Sequence, residues 1–179
     1  MKTHNDYMIF MANKLGKEFA QNLFKHGNQG ITIKKFEFLS ELVQKENFNS
    51  ILEIGRYYGY SFSMFKFFSP HSHIVSIDIV ERPEAIKVAS VFDNYTFLTG
   101  TSDLIKINSD KYKFDLVLID GEHTNEATLK DWNNIQNCLI KNKSVVFFDD
   151  LARCKKVYDT FEAKNKITKD ELDYGVIYV

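Results

Sequence analysis

The segment ILEIGRYYGYS, residues 51–61, joins a short apolar run to a loop that contains two glycines. The run ends in the acid of Glu53, and Gly55 and Gly59 follow with three bulky residues between them. A buried strand that turns abruptly into a helix needs glycine where the backbone is left-handed or lies close to a ligand. The segment therefore predicts a strand, a ligand-binding turn and a helix.

Similar apolar runs recur along the rest of the chain and alternate with helical patterns. The predicted strands are 50–54, 73–78, 94–98, 114–120, 144–149 and 174–179. Helical patterns between or after them cover 60–69, 83–92, 125–141 and 151–163. Apolar strands that alternate with helices are typical of a parallel sheet covered on both faces. We predict an α/β fold with a doubly wound, mostly parallel Rossmann-like sheet, in which ligands bind beyond the carboxyl ends of the strands.

The two ends of the chain complete this picture. One amphipathic helix is predicted from about residue 6 to residue 24, followed by breaks at Gly27 and Gly30, and a second helix over 33–46. We expect a single domain over 1–179, with an amino-terminal helical cap at 1–32 and a Rossmann-like core at 33–179. The cap could pack on the domain, cover a substrate or form a homodimer face. Residues 164–173 are too polar for a central strand, so one carboxyl-terminal strand of the sheet could be absent.

Composition excludes several classes of protein. The 179 residues carry a net charge of −1, which does not indicate nucleic acid as a partner. No apolar run approaches the ~20 residues that a membrane span needs. Cys138 and Cys154 are isolated and match no metal or redox spacing. We expect a cytoplasmic protein with reduced thiols.

Acidic residues follow the strands at what should be one edge of the sheet. They are Glu53, Asp78, Asp120, Asp149 and Asp150. Clustered carboxylates are costly unless a cation or hydrogen-bond donors meet them, so the ligand should offer hydroxyls, an ammonium group or a metal ion.

The spacing of the first loop narrows the choice of ligand. Asp78 ends the strand after Gly59, where an acid can hold ribose hydroxyls. The loop reads E-x-G-x-x-x-G and lacks the G-x-G-x-x-G pattern that brings the backbone close to a pyrophosphate. A nucleoside with an amino-acid tail fits this pattern better than NAD does.

Three motifs together resemble a known family. They are E-I-G-x-x-x-G-x-S in 53–61, FDLVLIDGEHTNEATLKDW in 114–132 and VVFFDD in 145–150. They resemble class I methyltransferases that use S-adenosylmethionine (SAM), in particular the small cation-dependent O-methyltransferases of the catechol and caffeoyl-CoA type and their macrolide-sugar relatives. The resemblance implies SAM-dependent O-methylation of a small hydroxylated acceptor. The Arg56-Tyr57-Tyr58 stretch is bulkier than is usual in such loops.

The resemblance also implies roles for individual residues. SAM would contact Glu53, Gly55, Gly59, Ser61, Asp78, Thr101, Ser102 and Asp120. Mg²⁺ would be held by Asp120, Asp149 and Asp150. His123 would be the general base and Asp120 a second catalytic residue, because a metal-bound hydroxyl is acidified and a histidine near its own pKa can take the proton.

Simpler interpretations stay open beside these roles. Asp78 could cap the end of a strand, Thr124 could cap the helix that follows His123, and one of the two acids at 149–150 could cap the helix after them. The whole chain could also be a SAM-binding module that transfers no methyl group. An NAD-linked enzyme is a third possibility.

Overall fold

A computed structural model describes residues 1–107, 110–160, 165–169 and 173–179, and in these parts it contains a seven-stranded sheet. The strands are β1 (Ser50–Ile54), β2 (His73–Asp78), β3 (Tyr95–Thr99), β4 (Leu116–Ile119), β5 (Val145–Asp149), β6 (Asn165–Lys169) and β7 (Tyr174–Tyr178). Their order is β3-β2-β1-β4-β5-β7-β6. Strands β1 to β5 are parallel, and β7 pairs antiparallel with both β5 and β6. The predicted doubly wound, mostly parallel sheet is confirmed.

Helices cover both faces of this sheet. They are α1 (His4–Leu15), α2 (Lys17–Gly30), α3 (Ile33–Glu46), α4 (Tyr60–Phe68), α5 (Pro83–Ala89), α6 (Asp103–Ile107), α7 (Asn125–Ile135) and α8 (Leu151–Tyr158). One apolar cluster joins the first five helices to one face, and a second cluster joins α6, α7 and α8 to the other. Covering both faces leaves the carboxyl edge of the strands as the open place for a ligand.

The amino-terminal helix differs from the prediction. It is two helices, because the chain turns at Gly16, where φ is +90°. Thr3 and Asp6 form a reciprocal capping box at the start of α1. Gly27 does not end α2; a β-carbon there would lie 2.2 Å from the ring of Tyr60, so this glycine lets the helix pack closely on α4.

The carboxyl-terminal end also differs from the prediction. Residues 165–169 form β6, so the sheet has the strand that the polar composition had put in doubt. β6 lies at the edge and pairs on one side only, with β7. An edge strand tolerates polar and charged side chains that a central strand does not.

Other boundaries shift by a few residues. Helix α6 was not predicted, and α7 ends at Ile135 before a short 3₁₀ segment, Gln136–Cys138. The predicted end of the last helix, at 161–163, lies outside the described residues. Both cysteines are buried free thiols. None of the described helices is long and apolar enough to cross a membrane.

Candidate active site

A cavity of about 790 Å³ lies at the carboxyl edge of the sheet. Among the predicted site residues, those on its wall are Gly55, Ser61, Asp78, Thr101, Ser102, Asp120 and His123. The others, which are not on the wall, are Glu53, Gly59, Asp149 and Asp150. The parallel strands thus bring most of the predicted residues to one place, and the remaining four lie around it.

The glycine loop is shaped by a close approach of two strand ends. Gly55 has φ of +95°, and a β-carbon at this position would lie 1.8 Å from the backbone oxygen of Asp120. Tyr57 also has a positive φ, and Gly59 begins α4 in the left-handed region. Only glycine at position 55 lets the loop turn while β1 and β4 stay in contact.

Glu53 lies beneath the loop and is fully buried. Its two carboxylate oxygens accept hydrogen bonds from the hydroxyls of Ser61 and Ser76. Burial raises its pKa to about 7, although the two serines act in the opposite direction. Ser61 lines the cavity, and its hydrogen bond to the buried Glu53 holds its side chain in position.

Asp78 ends β2 on the cavity wall. Its Oδ2 accepts a hydrogen bond from the backbone N–H of Tyr57 at 2.7 Å, and its Oδ1 accepts one from that of Val80 at 3.0 Å. The carboxylate thus does cap the strand end, as the simpler interpretation has it. Each oxygen can still accept a further bond, so the same side chain can hold two adjacent hydroxyls.

The hydroxyls of Thr101 and Ser102 already have protein partners. Thr101 donates to Asp103 at 2.8 Å, and Ser102 donates to Asp131 at 2.6 Å. Asn134 in turn donates to Ser102 at 2.9 Å. Asp131, a buried acid on the cavity wall, belongs to the motif in 114–132, although no role was predicted for it.

Asp149 and Asp150 share a partner that the sequence analysis did not identify. The ammonium group of Lys35 donates a hydrogen bond to Oδ1 of Asp149, and its nitrogen lies 3.5 Å from Oδ1 of Asp150. Lys35 is only 3% exposed. Burial lowers its pKa, but the neighbouring carboxylates, Asp149 first, outweigh this effect and raise it overall, so Lys35 is a buried cation.

His123 lies between two carboxylates. Its Nδ1 is 3.5 Å from Oδ2 of Asp150, and its Nε2 is 3.8 Å from Oδ1 of Asp120. The next residue, Thr124, caps α7 by accepting the backbone N–H of Ala127. The cap interpretation is therefore confirmed, and it holds His123 at the start of the helix, where the imidazole reaches the cavity.

Asp120 lies on the cavity wall close to several other acids. Burial raises its pKa well above the usual range for a carboxyl group, and the charges of Asp149 and Glu53 raise it further. Lys35 acts in the opposite direction. The crowding of acids at this edge therefore favours the protonated form of Asp120.

The predicted magnesium site does not fit this arrangement. Mg²⁺ requires close to six oxygen ligands in octahedral geometry. Among the residues that the structure describes, no three His, Cys, Asp or Glu side chains are arranged to hold a metal ion. Oδ2 of Asp149 is buried without a hydrogen-bond partner, but the other oxygen of this carboxylate and Oδ1 of Asp150 face the Lys35 ammonium.

The sequence contains a pattern that indicates burial of Lys35. Positions 35, 39 and 42 lie on one face of α3, and Leu39 and Leu42 are in the core. A lysine on the apolar stripe of a helix is rarely buried unless it is paired. The stripe could therefore have indicated a buried ion pair, although not its partner.

The fold and the cavity define an α/β protein with a doubly wound sheet and a cavity at the carboxyl edge of its strands. Residues 52–151 match a known family, described as a methyltransferase domain, over more than half of the chain. The chain belongs to this methyltransferase family, and the recognition made from its three motifs is confirmed at that level.

Solved structures share the fold over nearly the whole chain. The O-methyltransferase TomG of Streptomyces achromogenes, involved in tomaymycin synthesis and solved with SAM, has a TM-score of 0.72 and 15% identity, covering 100% of this chain and 99% of its own. An O-methyltransferase of Bacillus cereus in complex with SAH has a TM-score of 0.69 and 17% identity, covering 95% and 96%. The SAH-bound methyltransferase PaMTH1 of Podospora anserina has a TM-score of 0.69 and 15% identity, covering 96% and 87%.

Proposed function

We propose that the protein is a SAM-dependent O-methyltransferase that acts on a small hydroxylated acceptor, with His123 as the general base. The observation that carries this proposal is the single cavity wall on which Gly55, Asp78 and His123 all lie. This wall combines a loop of the kind that binds a nucleoside with the imidazole of His123, which has a carboxylate on each side.

The residues present fit SAM. The turn at Gly55 brings backbone close to the cavity, and Asp78 keeps acceptor capacity for the two ribose hydroxyls. Thr101 and Ser102 border the same cavity at the end of β3, where the resemblance puts the adenine. When bound, SAM supplies a methyl group that passes from its sulfur to the acceptor oxygen.

The protein's own part in the reaction is to position the acceptor and to remove its proton. Asp150 lies 3.5 Å from Nδ1 of His123, nearer than Asp120, which lies 3.8 Å from Nε2. We therefore infer that the proton stays on Nδ1 and that Nε2 takes the proton of the acceptor hydroxyl. Methyl transfer is an in-line displacement, so holding both reactants in line supplies much of the rate. No step of this proposal uses Mg²⁺, since two of the three carboxylates predicted to bind it, Asp149 and Asp150, face Lys35.

The first experiment is a calorimetric titration of the protein with SAM and with NADH. Micromolar binding of SAM, with none of NADH, supports the proposal, whereas NADH binding without SAM binding supports an NAD-linked enzyme. A panel of hydroxylated acceptors then tests turnover. SAM binding with no turnover across the panel favours the binding module without methyl transfer.

The role of His123 is tested with His123→Gln. The variant should bind SAM as the wild type does but lose at least about a hundredfold in turnover, the usual contribution of a general base. His71→Gln is the matched control, because His71 is exposed and does not line the cavity. Full activity of His123→Gln refutes the assignment of the base.

A further inference from the structure

The buried ammonium of Lys35 occupies a position between two of the carboxylates that the resemblance assigns to a metal ion. We propose that Lys35 is the built-in cation of this edge of the sheet, and that it replaces a divalent metal ion and holds Asp150 against His123. The positioning of His123 rests on the proposed function, but the replacement of the metal does not.

The charges of Lys35 and of its two acidic neighbours favour the lysine over a metal ion at this position. Asp149 and Asp150 are adjacent in sequence, and both face Lys35, which bears one positive charge. A group of carboxylates this close needs a cation, and the chain supplies one from α3. A divalent ion bound to the same oxygens would lie within a few ångströms of a buried ammonium, where repulsion is little screened.

Lys35 is buried, so its side chain cannot easily move away from the two carboxylates. The residue is 3% exposed, and its position on α3 is set by Thr32, whose hydroxyl accepts the backbone N–H of Lys35 at the start of the helix. A surface lysine can swing into water to admit a metal ion, since its stem is flexible. For Lys35 such a movement would leave the side chain of Asp149, which is 1% exposed, buried and unpaired.

A chain of contacts joins Lys35 to His123 through Asp150. One oxygen of Asp150 lies 3.5 Å from the Lys35 nitrogen, and the other lies 3.5 Å from Nδ1 of His123. Asp150 itself is at the N-cap position of α8 with φ of +49°, yet its side chain makes no capping hydrogen bond. Its carboxylate therefore serves Lys35 and His123, and Lys35 acts as a positioning residue that does not line the cavity.

Binding of Mn²⁺ tests the proposal without any need for turnover. Binding is measured from the decrease in the electron paramagnetic resonance signal of free Mn²⁺. Wild type and Lys34→Met, an exposed neighbour, should leave millimolar Mn²⁺ free, and Lys35→Met should bind it at least about tenfold more tightly. Saturable binding of Mn²⁺ by the wild type that Asp150→Asn abolishes overturns the proposal. Failure of a folded Lys35→Met to bind Mn²⁺ also overturns it, because the carboxylates would then be no cation site.

Further measurements distinguish failure of this proposal from failure of the proposed function. If Lys35→Met does not fold, the wild-type titration and the more conservative Lys35→Gln decide the question. Failure of SAM to bind in EDTA would refute the proposed function and leave the Mn²⁺ result intact.

For the positioning role, Lys35→Met should lower kcat at least about tenfold without changing the KM for SAM, and Mn²⁺ should restore part of that loss. A purely structural lysine would show no such rescue by the metal ion.

Discussion

Lys35 on α3 and Asp149 at the end of β5 form a buried ion pair between residues 114 positions apart in the chain. The pair joins a helix of one sheet face to the edge where the cavity lies. The amino-terminal part of the protein also reaches the cavity directly, because His26, Gly27 and Ile31 lie on its wall. Four predictions follow from this contact and from the cavity beside it.

Removal of Lys35 should destabilise the protein. Lys35→Met leaves the Asp149 carboxylate buried without its partner, and breaking such a pair costs about 3–5 kcal/mol. Urea unfolding measures the change, with Lys34→Met as the control for loss of a lysine from the same helix. Adding Asp149→Leu to Lys35→Met should recover most of the loss, and a double variant as unstable as the single one would contradict the explanation.

Glu53 should make stability depend on pH in a defined direction. Its pKa is raised from 4.5 to about 7, so the folded state holds the proton more tightly than the unfolded state. The stabilising contribution is complete below about pH 4.5 and is lost as pH rises through about 7. In urea unfolding, wild type should lose about 3 kcal/mol relative to Glu53→Gln between about pH 4.5 and 8. A difference that does not change with pH would show that burial does not perturb this carboxyl group.

Gly55→Ala should be far more damaging than the same change at Gly16. Both glycines have φ near +90°, so alanine is strained at either position. At Gly55 the new β-carbon would also overlap the backbone oxygen of Asp120, whereas at Gly16 it meets nothing within 4 Å. Thermal unfolding should therefore separate the two variants, and calorimetry should show loss of SAM binding for Gly55→Ala alone. Equal effects of the two changes would refute the close approach of β1 and β4.

Asp78→Asn should weaken SAM binding about 10- to 100-fold, because a charge-assisted hydrogen bond contributes about 1.5–3 kcal/mol. Asparagine offers only one acceptor oxygen, so one of the two backbone N–H groups, that of Tyr57 or that of Val80, loses its partner, and part of the weakening comes from the loop. Calorimetric titration measures the affinity, and Asp93→Asn, an exposed acid before β3, is the control. Unchanged affinity in Asp78→Asn would leave Asp78 with only its role as a strand-end cap.

Much of this structure was predictable from local pattern. The strand ending at Ile54, its glycine turn and the acids after β2, β4 and β5 lie where the sequence analysis expects them, since apolar runs and glycines act over a few residues. The helix boundary at Gly16 was missed because isolated glycines are common inside helices and the apolar spacing continues across it.

The sequence by itself determined β1 to β5, the main helices between them, the loop around Gly55 and the edge at which the acids gather. These follow from short-range periodicity and from the rule that parallel strands share one carboxyl edge. Only the tertiary structure decided that Lys35 faces Asp149, that Ser102 is engaged with Asp131, and that the polar segment 165–169 is an edge strand. Pairing between distant residues depends on how the helices pack on the sheet, and no local pattern specifies which buried charge meets which partner.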